Sequence, residues 1–144
     1  MSHAADLLIA RNTISRSAGA GLSGYFGTSA VIAGNLIVAN GGDGISLRTW
    51  GGDTQISNNV AARNRGSGIV GTVVAYWRVT ANLTSRNGAS GIVIGGAVRQ
   101  ATLAANRAER NGDLGIDAGP GVLDGGGNRA FLNGSHVQCA GIAC

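Results

Sequence analysis

Lysine is absent from this 144-residue chain, proline occurs once, and only six residues are aromatic. The shortage of aromatic rings argues against a conventional globular core, because those rings supply much buried area per residue. Charged residues make up 12% of the chain and the formal net charge is only +4. Disordered chains combine few β-branched residues with high net charge, and the abundance of Val, Ile and Thr excludes that class. No glycine repeats at every third position, which excludes a collagen-like chain. No run of 18 apolar residues is present, so no membrane-spanning helix is expected. The opening stretch, Met1-Ser2-His3-Ala4-Ala5-Asp6, lacks the pattern of a signal peptide. Only two cysteines occur, Cys139 and Cys144. Their spacing allows a small disulfide loop, and two free thiols are the alternative. What the chain does have is 26 glycines, amid Ala, Val, Ile and Leu. That mixture suits narrow coils with tight turns. All eleven basic residues are arginine; GC-rich coding is the plainer account, and the arginine fork's match to carboxylates and phosphates is the other.

The turns are periodic. Asn12, Asn35, Asn59, Asn82, Asn106 and Asn128 recur every 22 to 24 residues. Five positions after each anchor stand Ser17, Asn40, Asn64, Asn87, Asn111 and Asn133. Eleven of the twelve asparagines fall in these two columns, and only Asn58 does not. Chance does not concentrate one residue type so sharply, and a repeat of this length signals a solenoid. Ten positions after the first five anchors come Leu22, Ile45, Ile69, Ile92 and Ile116, each preceded by glycine. Ile9, Ile32, Ile56, Val79 and Leu103 precede their anchors by three, and Gly125 breaks that column in the last repeat.

The expected fold is all-β: a single-stranded right-handed parallel β-helix of about six coils, one domain over 1–144. The repeats cover about 5–134, and 135–144 form a C-terminal tail. Asparagine in register stacks amide on amide and satisfies buried polar groups that are otherwise costly. It also tolerates left-handed backbone at sharp bends, and the glycine before each Ile is expected to turn with positive φ. The varying length between Gly21 and the next anchor predicts one loop per coil that absorbs insertions. The glycine density opposes helical repeats. An uncapped solenoid end exposes apolar side chains and strand edges. The N-terminal end is therefore expected to be covered by another subunit or by upstream sequence, which makes self-association through it a partner expectation.

The motif Ile-x-x-Asn-x-φ-x-x-Asn-x-x-x-Gly-Ile, with φ apolar, resembles the parallel β-helix repeat of the pectate-lyase-like superfamily. Polysaccharide lyases, C5-epimerases and repeat-only bacterial proteins share that repeat. The ending, Asn133-Gly-Ser-His-Val-Gln-Cys139 through Cys144, is similar to the tails of secreted bacterial members. The resemblance implies a secreted or periplasmic protein and, for an active lyase, a calcium-binding carboxylate cluster with a base near the scissile sugar. Here Asp43 and Asp53 lie in adjoining loops, as do Asp113, Asp117 and Asp124. Neither set forms a column, so turn residues are the preferred reading, no catalytic residue or metal ligand is assigned, and calcium remains the alternative cofactor.

Alternation along the Gly-Ile strand places Tyr25 and Arg48 outward. With Trp50, Asp53, Tyr76 and Trp77 they form a candidate sugar-binding patch, since rings stack on apolar sugar faces. Ordinary surface residues with a tryptophan packed on a loop are the competing account. Arg16, Arg63, Arg86 and Arg110 share the column before the second asparagine, interrupted by Ala39. Stacked about 4.8 Å apart, neighbouring arginines repel by only about 0.9 kcal/mol in water. The column is either a solvated stripe or an anion-binding strip for acidic polysaccharide; nucleic acid is the weaker choice, because aromatics are not interleaved. Two G-x-G-x-x-G matches, at Gly19–Gly24 and Gly66–Gly71, fall at one phase of the repeat with no helix following, which argues against a dinucleotide site. The sequons at Asn82 and Asn133 lie in the ladder columns and are expected to point inward. The leading functional expectation is a non-catalytic β-helix module, scaffold or weak carbohydrate binder, within a longer exported protein. A truncated polysaccharide lyase or epimerase, and a solenoid that stacks end to end into dimers or filaments, are the alternatives.

Overall fold

The structure is a computed structural model that describes residues 7–144. The first residues of the opening repeat, Met1–Asp6, lie outside the described residues. The chain winds as a β-solenoid of about six turns with three faces per turn. The first face holds β3 (Leu22–Phe26), the opening halves of β6 (Ile45–Ser57), β8 (Ile69–Thr80) and β10 (Ile92–Ala104), then β12 (Ile116–Ala118) and β15 (Cys139–Ala140). The second holds β1 (Leu7–Ala10), β4 (Ala30–Ala33), the closing halves of β6, β8 and β10, and β13 (Val122–Asp124). The third holds β2 (Thr13–Ser15), β5 (Leu36–Val38), β7 (Val60–Ala62), β9 (Leu83–Ser85), β11 (Arg107–Glu109) and β14 (Arg129–Phe131). Every pairing is parallel. No helix is present among the described residues.

Period-two alternation explains the core. Ile45, Ile69, Ile92 and Ile116 pair in register, and so do Ile32, Ile56, Val79 and Leu103. All eight are fully buried, and each contributes on the order of 1.5–3 kcal/mol by leaving water. The core also repairs a gap. The inward column Leu47, Gly71, Ile94 loses its side chain at Gly71, and the Trp77 indole fills that space; a Cβ on Gly71 would lie 2.7 Å from it.

Both asparagine columns form continuous ladders. The Asn59 backbone N–H and Nδ2 each donate to Asn82 Oδ1 at 3.0 Å, while Nδ2 also donates to the Ile32 carbonyl at 2.9 Å. The same pattern repeats in the second ladder, where Asn64 donates to Asn87 and to Ile37. The sequons at Asn82 and Asn133 are thus inward, 1% and 9% exposed.

Two turn expectations need correction. The ladder asparagines are not themselves left-handed; the residue before each one is. Arg11, Gly34, Asn58, Ala81, Ala105 and Gly127 turn the chain ahead of the first ladder, and Arg16, Ala39, Arg63, Arg86, Arg110 and Leu132 ahead of the second, with φ of 54–70°. That backbone costs an L-residue about 1–2 kcal/mol, offset by the hydrogen bonds that the ladder residue after it makes, three for most of the asparagines and one for Ser17. Off-ladder Asn58 is one of these turn residues. The glycines before the inward Ile do not have positive φ either. Gly44, Gly68 and Gly91 are small because coils approach closely: a Cβ on Gly68 would sit 2.6 Å from the Gly91 carbonyl oxygen and 2.7 Å from Thr84.

The segment set apart as a tail completes the sixth coil. Cys139 and Ala140 pair with Ile116 and Asp117, and Cys139 packs on the core. Just before it, Gln138 Oε1 accepts from the Asn133 N–H at 3.0 Å and Nδ2 at 2.9 Å, the place a seventh-coil asparagine would take. Asp124 ends the first ladder, accepting from Asn128 Nδ2 at 3.1 Å and Gly126 N–H at 2.9 Å, and its second oxygen takes Ala143 N–H at 3.2 Å. Asp124, not Gly125, is the register partner of Leu103, because left-handed Gly126 and Gly127 absorb one residue after it. At the other end, Ile9, Ile14 and Leu22 are only partly buried and Leu8 is 68% exposed.

Candidate functional site

The three corners of the coil differ in chemistry. The second and third corners are locked by the ladders. The first, between the first and second faces, has no ladder and carries the insertions. There the register shifts between Thr49 and Asp53 and between Ile94 and Ala97, and Gly52 and Gly96 adopt φ of 73°. This is the one variable loop per coil that the repeat lengths imply.

The first corner gathers most of the candidate sugar patch. Tyr25 and Trp50 lie 5.4 Å apart with rings tilted by 42°, and both are exposed, 63% and 61%. Gly27 leaves room for the indole, since a Cβ there would fall on its Nε1. Arg48 is the register partner of Tyr25, and its Nε donates to Thr72 Oγ1 at 2.9 Å in the next coil. Across the bend, Asp53, Tyr76 and Gln100 are consecutive register partners facing outward. Behind them run Gln55, Arg78 and Thr102, also in register. Asp53, Tyr76, Arg78, Gln100 and Thr102 line a cleft of about 140 Å³. Thr54 borders it as well, but it is fully buried in register with inward Trp77, and its hydroxyl, which faces the core, has no hydrogen-bond partner among the described residues.

Trp77 does not belong to the exposed patch. It is 2% exposed, and its Nε1 donates to Thr49 Oγ1. Adjacent strand residues point to opposite sides, so Tyr76 and Trp77 cannot both face solvent. Gln100, Arg78 and Thr102 were not singled out from the sequence. Their signal is positional: Gln100 follows Tyr76 by one repeat, and Arg78 and Thr102 follow Gln55 by one and two.

At the third corner, Arg16, Ala39 and Arg63 follow the register partners Ser15, Val38 and Ala62. Arg16, Arg63 and the additional Arg65 line a groove of about 550 Å³ whose floor includes Ala39 and Asn40. Arg86 continues the column in the next coil. Arg110 does not act as a free end of the strip, because Glu109 lies 3.5 Å from it while also pairing with Arg107 at 2.6 Å. Those two contacts are the only ion pairs among the described residues.

The acidic residues do not converge. Asp43 sits at the third corner, accepting from the Ser67 N–H at 2.7 Å; Asp53 sits at the first, its N–H donating to Ser29 Oγ at 3.2 Å. Among the described residues, no three His, Cys, Asp or Glu side chains group as metal ligands. The Asp124 carboxyl is held below its ordinary range, chiefly by the Gly126 N–H, with help from Ala143 and Asn128 against partial desolvation. Cys139 and Cys144 are joined as a disulfide, and His136 lies in the last loop.

Compared with known proteins, the chain matches the family model of the right-handed beta helix region over residues 1–108. No curated protein and no solved structure matches it.

Proposed function

The chain belongs to the right-handed beta helix family, and from that premise we propose that it is a non-catalytic repeat module whose first corner binds carbohydrate weakly. The observation that carries this reading is the register-aligned ledge Asp53, Tyr76 and Gln100, backed by Arg78 and Thr102 around one cleft. An exposed ring beside amide, carboxylate and guanidinium groups offers stacking for a sugar face and hydrogen bonds for its hydroxyls. The exposed Tyr25–Trp50 pair extends the aromatic surface toward the N-terminal end. The disulfide supports an exported protein, since such bonds persist in oxidising compartments.

Titration with neutral and acidic oligosaccharides, followed by nuclear magnetic resonance, tests the reading. Saturable shifts at the first corner are expected, weakened about tenfold, or 1.4 kcal/mol, by Tyr76→Ala. No saturable binding to any glycan, or binding indifferent to Tyr76→Ala and Asp53→Ala, would overturn it. The lyase or epimerase alternative predicts a rise in unsaturated-uronate absorbance with pectate or alginate and its loss in Arg48→Ala; calcium dependence would implicate a metal. Self-association has support at one end only. The first coil leaves the inward Ile9 and Ile14 short of full burial, whereas Gln138 and Asp124 occupy the ladder donors of the last. Light scattering against concentration is expected to show at most dimers, not filaments.

A further inference from the structure

Beyond the carbohydrate ledge, we propose that the third corner is a site for a multiply charged phosphate, held by Arg16, Arg63 and Arg65 around the gap left by Ala39. The gap is the central observation. Column positions before the second ladder carry arginine in the first, third, fourth and fifth coils, and Ala39 stands alone in the second. Arg16 and Arg63 therefore flank an empty rung, their Cα atoms about 9.6 Å apart at two coil rises, and the groove of about 550 Å³ opens between them. Arg65, two residues after Arg63 in the same coil, lines the same groove, and so does Ser17, standing where the ladder otherwise has asparagine. None of the three guanidinium groups is in an ion pair with a described residue, although Glu109 pairs with two other arginines of this chain. Asp43, the carboxylate at the same corner of the second coil, accepts from the Ser67 N–H.

Three arginines bordering one groove point to the ligand class. Three forks around one gap suit a single compact group carrying about two negative charges, as a phosphate does. A polyuronate presents single charges a ring apart and would meet these arginines one at a time. A nucleic acid would need rings on which to stack its bases, and the groove lining contains none.

Isothermal titration of the whole chain with tripolyphosphate at low salt tests the site. One-to-one saturable binding is expected. Arg63→Gln is expected to weaken it about tenfold or more, whereas Arg107→Gln, which removes the same charge elsewhere, leaves it within about twofold. Ala39→Leu is the sharper variant: it fills the rung without changing charge, and Leu132 shows that the column accepts leucine at φ of 57°. It is expected to weaken binding as much as Arg63→Gln while the circular dichroism spectrum stays unchanged. Co-flotation with phosphatidic-acid vesicles, competed by tripolyphosphate, would assign the phosphate to a lipid headgroup; failure to float assigns it to a soluble ligand. Absence of saturable tripolyphosphate binding would overturn the site. So would equal losses in Arg63→Gln and Arg107→Gln, or polygalacturonate binding that is tighter and survives Ala39→Leu.

Discussion

Replacing Asn82 by alanine isolates what a ladder amide contributes. In the native chain its Oδ1 accepts the Asn59 N–H and Nδ2, both at 3.0 Å, and its Nδ2 donates to the Ile56 carbonyl at 2.8 Å and to Asn106 Oδ1 at 3.1 Å. Asn106 Oδ1 keeps one donor in the variant, because the Asn82 backbone N–H still reaches it at 3.1 Å. Two buried donor hydrogens of Asn59, that of its backbone N–H and one of the two on Nδ2, lose their acceptor, while the other Nδ2 hydrogen keeps the Ile32 carbonyl; at 1% exposure water has no path to them. At about 1–3 kcal/mol for each orphaned group, the expected loss is about 4 kcal/mol, a large share of a typical domain's stability. With a urea m-value of about 2 kcal/mol/M, the midpoint should fall by about 2 M. Asn12→Ala is the control. Asn12 is exposed, and its backbone N–H keeps Asn35 Oδ1 at 2.9 Å, so no buried donor is stranded and the cost should stay below about 1 kcal/mol. Asn82→Ser retains an acceptor and should fall between the two. Urea melts followed by far-ultraviolet circular dichroism read all three. Costs for Asn82→Ala and Asn12→Ala within about 0.5 kcal/mol of each other would refute the argument that ladder burial sets the energy.

Gly68→Ala and Gly95→Ala should separate in the same melts: the first meets the Gly91 carbonyl at 2.6 Å and should destabilise by more than about 2 kcal/mol, while the second meets nothing within 4 Å and should be neutral or stabilise by up to about 1 kcal/mol. Cys144→Ser opens a loop with a sequence separation of 5, and the loop-entropy relation gives a loss of about 2 kcal/mol. Its first sign should be faster hydrogen exchange at Cys139 and Ala140. The Asp124 carboxyl is held below its ordinary pKa in the folded chain, so the unfolded chain binds more protons between the two values. Its contribution is therefore complete at neutral pH and is lost as pH falls below about 4. Acid titration of Asp124→Asn should show a shallower decline there; an identical acid branch in both proteins would remove Asp124 from the cap.

The architecture was legible because a solenoid repeats its geometry. Each coil meets nearly the same neighbours, so the same residue recurs wherever the same contact does, as with the Asn columns, the Gly-Ile pair and the inward Ile32, Ile56 and Val79. The disulfide was legible as one of two alternatives, because the distance between neighbouring cysteines is short in any fold. The departures from the repeat required the third dimension. Trp77 looked like a surface ring beside Tyr76 until Gly71, six residues earlier, was seen to leave the space it fills. The backbone role of Ala39, Ala81 and Arg86 was hidden because side-chain identity does not report φ when ladder bonds can hold any residue in a left-handed turn. Gln138 and Asp124 each occur once in their roles, and periodicity marks only what recurs. The sequence by itself determined how the chain winds and which residues line its interior, since one-dimensional spacing maps directly onto stacked rungs. Only the tertiary structure decided how the last ladders end, which ring reaches solvent and where Ala39 opens a groove between two arginines, because those depend on contacts between coils that the repeat does not share.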